Sequence, residues 1–160
     1  MAPQMMPTAF AALLTWTLAP LGTMAIQIQS AQGSLKLDNY TLDNFVKIPG
    51  ISVLVKVDKS FAEGEREEEF KRMAKASAPV PNFFVADVPI QEYNVKENMD
   101  LKRRYRLKRE NYPFYILFKA GEPNYIPYKG EIRATPMAQF LRDNGIPFPT
   151  MGSIADDHMH

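Results

Sequence analysis

Val53-Leu54-Val55-Lys56-Val57-Asp58 runs directly into KSFAEGEREEEFKRMAK at residues 59–75, and the architecture turns on that junction. Branched aliphatic residues dominate the first six positions, the mark of a buried strand. A short turn follows. From 62 to 77 the pattern becomes helical: Glu63, Glu65, Glu67, Glu68 and Glu69 crowd the first half, and Lys71, Arg72 and Lys75 the second. That order complements the helix dipole and allows acid-to-base pairs four residues apart. Phe70, Met73, Ala74 and Ser77 form the inner face, and the glutamates read as a solvated one. A strand that hands its C-terminal end to a helix N-terminus is where α/β folds place their chemistry. This junction holds neither cysteine nor histidine.

Upstream, LDNYTLDNFV at 37–46 reads as a short strand and a helical turn, stopped by Pro49-Gly50. Downstream, Pro79-Val80-Pro81-Asn82 ends the helix, and FFVADV at 83–88 is a second strand. Residues 92–105 read as a helix with Val95, Met99 and Leu101 inward. Residues 112–118 form a strand introduced by Pro113, AGEPN at 120–124 a turn, and 125–128 a return strand. Residues 135–144 make a closing helix, with Thr135 as N-cap, Pro136 at the first helical position and Gly145 just past the end. Strand, helix, strand, helix, hairpin, helix implies an α/β fold: a mixed central sheet with helices on both faces.

A chain of 160 residues with 46% apolar content suits one folded domain. A formal net charge of +1 argues against nucleic-acid binding through bulk charge. With no cysteine, neither disulfides nor thiol catalysis are available. All 19 basic and 18 acidic residues lie from Lys36 onward. The apolar run TAFAALLTWTLAPLGTMAI at 8–26 is broken by Pro20 and Gly22, which suits a secretory leader better than a stable membrane span. The expected organisation is a signal peptide at 1–33 (cleavage after Ala25 or Gly33), a domain at 34–148 and a flexible tail at 149–160.

Several stretches carry a resemblance. Tyr105-Arg106-Leu107, Tyr112-Pro113 and ILFKAGE at 116–122 resemble the second half of thioredoxins. Taken with LDNYTL, VLVKVD, GEREEEFKRMAKAS, VADV, NMDLKRRYRL and NYPFYILFKAGE, the stretch from 37 to 148 resembles the redox-inactive thioredoxin-like domain of the endoplasmic reticulum resident protein 29 / Windbeutel chaperone family. A generic thioredoxin would show its CxxC at about Phe61 to Gly64; here those positions read Phe61-Ala62-Glu63-Gly64. The resemblance implies a cis Tyr112–Pro113 bond. It also implies a non-enzymatic chaperone or escort in the endoplasmic reticulum lumen that binds secretory protein clients and works as a homodimer, with no cofactor. By the same resemblance Asp38, with Leu37 and Asn39, lies in the dimer contact. The client-binding candidates are Phe61, Glu63, Tyr112 and Pro113. The family has Tyr-Pro-Tyr-Gly-Glu where this chain has Phe61-Ala62-Glu63-Gly64-Glu65, so one aromatic remains and an acid replaces the second tyrosine. The family's all-helical second domain and retention tetrapeptide have no counterpart in the sequence. The expectation is a shortened product, or a protein that works without that domain and is retained by a partner or secreted.

Other features are read from the residues alone. Asp58 is expected to be a strand-end turn residue. Lys102, Arg103, Arg104 and Arg106, continued by Lys108 and Arg109, form a basic run, and its second reading is a secreted binder of anionic polymers. Asn39-Tyr40-Thr41 is an N-glycosylation sequon. A glycan beside Asp38 would exclude a tight symmetric contact there. No metal site is expected: the glutamate run lacks the turn spacing of a calcium loop, and His158 and His160 are a weak pair.

Overall fold

The computed structural model describes residues 33–152. Strand β1 (Leu35–Lys36) leads into helix α1 (Asn39–Phe45), followed by β2 (Ser52–Lys59), α2 (Glu65–Ala76), β3 (Phe83–Ile90) and α3 (Met99–Arg104). A 3-10 turn (Arg109–Asn111), β4 (Phe114–Phe118), β5 (Ile126–Pro127) and α4 (Ala134–Asp143) complete the order. The sheet runs β1-β3-β2-β4-β5. β1, β3 and β2 are parallel, and β4 and β5 continue the sheet antiparallel. The leader read at 1–33 and the end of the 149–160 tail fall largely outside the described residues.

β2 is central because both of its faces are apolar. Val53, Val55 and Val57 pack with Leu42, Leu101 and Ile116 on one side of the sheet. Leu54 faces the other side with Phe70, Met73, Met137 and Leu141 of α2 and α4. Alternation along a strand puts Lys56 and Asp58 on that second side as well. Lys56 is 2% exposed. A buried ammonium is tolerated only when paired. Its Nζ donates to Glu67, lies 3.3 Å from Asp87 and sits 4.0 Å from the Phe70 ring centroid.

Two glutamates therefore leave the face read as solvated. Glu67 holds Lys56. Glu69, 2% exposed, accepts from the Ala134 N–H at 2.6 Å and from Arg72 at 3.2 Å. α2 starts at Glu65, later than the sequence pattern suggests, because the chain turns at Gly64 with φ +94. That backbone region favours a residue without Cβ.

The helix expected over 92–105 is shorter, spanning Met99–Arg104 only. Asn94 and Asn98 adopt left-handed φ values of +59 and +53, which break a helix and which asparagine tolerates. The loop closes through an antiparallel bridge between Gln91 and Glu97, and Val95 points outward at 74% exposure. Asn98 stitches the loop down: its Nδ2 donates to Pro89 O at 2.8 Å. The closing helix begins at Ala134 with Arg133 as N-cap, so Pro136 falls at its third position. Beyond it, Ile146 and Phe148 pack into the core. Arg142 and Arg72 hold the carbonyls of Pro149 and Gly152 at 2.9 and 2.8 Å.

Candidate functional site

The end of β2, the turn at residues 60–64 and the Tyr112–Pro113 segment enclose a cavity of about 590 Å³. Phe61, Glu63, Tyr112 and Pro113 all line it, with Asp58 and Tyr93. The Tyr112–Pro113 peptide bond is cis. Ser60 ties the turn to β3, its N–H donating to Ile90 O at 2.9 Å. Phe61 at the crest has φ +59 and is 86% exposed. Glu63 is exposed beside it.

Polar groups, Asp58 and the Tyr112 hydroxyl among them, line the cavity. Asp58, expected as a turn residue, lies inside β2 at 7% exposure, with Oδ1 accepting from the Lys59 N–H at 2.7 Å. Burial pushes its carboxyl above the ordinary aspartate range, against the Lys59 hydrogen bond and the Lys56 charge. Tyr112 Oη is buried and has no hydrogen-bond partner among the described residues. Burial, with the nearby Glu92 and Asp58 carboxylates, pushes its hydroxyl up to about 12. Tyr93, 68% exposed, was not legible as a site residue in the sequence. The other walls of the cavity, with Tyr93, Arg109, Tyr112 and Pro113, come from segments far along the chain.

The residues read as a dimer contact lie at the start of α1. Asp38 is the N-cap: its Oδ1 accepts from the Thr41 N–H at 2.7 Å, and Thr41 Oγ1 accepts from the Asp38 N–H at 2.8 Å. The Thr41 N–H and the Thr41 hydroxyl, both donating to Oδ1, hold the Asp38 carboxyl below its ordinary range. Leu37 is half-buried against the α1 side of the core, and Asn39 is half-buried at the first helical position. Tyr40 next to them is 77% exposed.

The basic run is partly neutralised. Lys102 pairs with Glu92 at 2.6 Å. Arg104 grips Asp43 through both terminal nitrogens at 2.6 and 3.0 Å, and reaches Asn39 Oδ1 at 3.0 Å. Arg103 and Arg106 are exposed. Among the described residues no cluster of acidic, histidine or cysteine side chains is arranged to hold a metal, and no helix is long and apolar enough to cross a membrane.

A family profile described as ERp29, N-terminal domain, matches residues 29–148. The chain belongs to this family. Protein windbeutel of Drosophila melanogaster is 29% identical over 104 residues, covering 64% of this chain and 40% of that protein. The chain thus spans well under half the length of this relative. Among solved structures, the first thioredoxin domain of mouse protein disulfide-isomerase A4 superposes with a TM-score of 0.55 at 19% identity, over 78% of this chain and 84% of that one. Thioredoxin f2 of Chlamydomonas reinhardtii gives 0.56 at 14% identity, over 70% and 98%. Human ERp44 gives 0.55 at 19%, over 82% and 34%. These likenesses establish a thioredoxin fold. Thiol–disulfide exchange requires an attacking thiolate, and this chain has no cysteine to supply one.

Proposed function

We propose that the chain is a non-enzymatic protein-contact module of the endoplasmic reticulum lumen. In this reading it is a chaperone or escort that binds secretory clients at the Phe61 corner and pairs with a second copy through the face around Leu37, Asp38 and Asn39. One observation carries the client half of this reading. Phe61 stands 86% exposed over the cavity on a left-handed backbone. Holding a bulky residue there costs about 1–3 kcal/mol, a strain that clusters at functional positions. A solvent-facing aromatic above a cavity with Tyr93 and Pro113 on its walls suits an apolar side chain of a client. The family membership supports the lumenal and client-binding roles, and the leader read at 1–33 supports entry to that compartment.

For the anionic-polymer reading, Lys102 and Arg104 are paired with Glu92 and Asp43, while Arg103 and Arg106 stay exposed. The client site is tested by titrating isotope-labelled protein with reduced, carboxymethylated α-lactalbumin. Amide shifts should concentrate at Ser60 to Gly64, Tyr93 and Tyr112. Shifts confined to α4 and β5 would refute the site.

A further inference from the structure

Asn39-Tyr40-Thr41 is the only Asn-x-Ser/Thr triplet in the chain. We propose that Asn39 Nδ2 is an N-glycan acceptor. This inference rests on the lumenal reading above, since the modifying enzyme works only there.

The local geometry accommodates the modification. Asp38, Tyr40 and Thr41 around the acceptor are exposed. The Asn39 carboxamide is fixed by its oxygen, which accepts from Arg104 Nη2 at 3.0 Å, and its backbone N–H donates to Asn98 Oδ1 at 3.0 Å. Among the described residues nothing bonds Nδ2. A glycosylated asparagine keeps its side-chain oxygen, so attaching a sugar to Nδ2 removes none of these bonds. The capping box supplies a competing explanation for part of the triplet. It accounts for Asp38 and Thr41, whose side chains bond reciprocally to the helix start. It makes no demand on the side chain at the first helical position, so it leaves Asn39 unexplained.

The step is a group transfer from a lipid-pyrophosphate-linked oligosaccharide, the co-reactant of the membrane-bound transferase. Nδ2 forms a bond to C1 of the first sugar, the C1–O bond to pyrophosphate breaks, Nδ2 gives up one proton, and the lipid pyrophosphate leaves. Transfer meets the chain as it enters the lumen, before α1 closes around Asp38.

Cell-free translation of the full chain with microsomes tests this with two independent readouts. Protease protection reports entry. A mobility shift removed by endoglycosidase H reports the glycan. The expected result is a protected, shifted species. The shift should be absent in Asn39→Gln and kept in Thr41→Ser, which preserves both triplet and cap. A protected chain with no shift overturns the acceptor assignment and leaves the lumenal reading standing. An unprotected chain overturns both. A shift that persists in Asn39→Gln overturns Asn39 as the site.

Discussion

Asp58 is the buried acid of this corner. Its carboxyl is buried at the end of β2 and faces the cavity below Phe61 and Tyr112. Its folded pKa is raised above the 3.8 of an ordinary aspartate, mainly by burial. Well below pH 3.8 the group is protonated in both folded and unfolded chains and favours neither. As pH climbs through the raised folded value, the unfolded chain ionises more easily and stability falls. Asp58→Asn keeps the acceptor for the Lys59 N–H and removes the charge. The variant should be more stable than the parent at pH 7, and the gain should vanish near pH 3, read by urea unfolding at both values. Equal midpoints at pH 7 would show that the carboxyl carries no penalty. The sequence revealed the strand and the parity that sends Lys56 and Asp58 to one side. It did not reveal the burial, because β4 and the cavity that Asp58 shares with Tyr112 and Pro113 come beside the end of β2 only in the folded chain.

At the scale of elements, the strand order and the alternation of strand and helix were readable from apolar periodicity and from Gly and Pro punctuation. The helix boundaries that moved did so for tertiary or backbone reasons. α3 lost its first half to left-handed Asn94 and Asn98. α4 is capped from another helix: the Glu69 carboxylate of α2 takes the Ala134 N–H, one of the first-turn donors that have no partner within the helix. A run of glutamates looks solvated in sequence, and only the packing of α2 on α4 selects Glu69 for burial. Glu69→Ala leaves a buried N–H without its acceptor and should cost about 2–3 kcal/mol, whereas Glu69→Gln, which retains an oxygen, should cost about 1 kcal/mol. Hydrogen exchange should locate the loss in the first turn of α4. Equal destabilisation by both variants would mean that the charge, and not the cap, is what matters. The client-site candidates were legible through the resemblance to a thioredoxin corner. The polar lining was not, since no local pattern marks a cavity assembled from four segments.

At the scale of the whole molecule, the proposed glycan and the proposed dimer compete for the start of α1. A glycan on Asn39 adjoins Asp38 and the 77% exposed Tyr40, and a symmetric contact brings that face against itself. Glycosylated protein should therefore sediment as a monomer and Asn39→Gln as a dimer; a glycosylated dimer would contradict the exclusion. Tests of the dimer through Asp38 should use Asp38→Asn, which preserves the α1 N-cap, because Asp38→Ala removes the cap as well. The thioredoxin scaffold here keeps its cis proline and its cavity, and carries no thiol. The central claim is that this corner works by contact. The most direct measurement is the affinity of the protein and of Phe61→Ala for reduced, carboxymethylated α-lactalbumin, with thermal unfolding recorded in parallel. Binding by Phe61→Ala should be weaker by about tenfold or more, as for an aromatic hot spot, at an unchanged or higher unfolding temperature. Equal affinity for both proteins would contradict it.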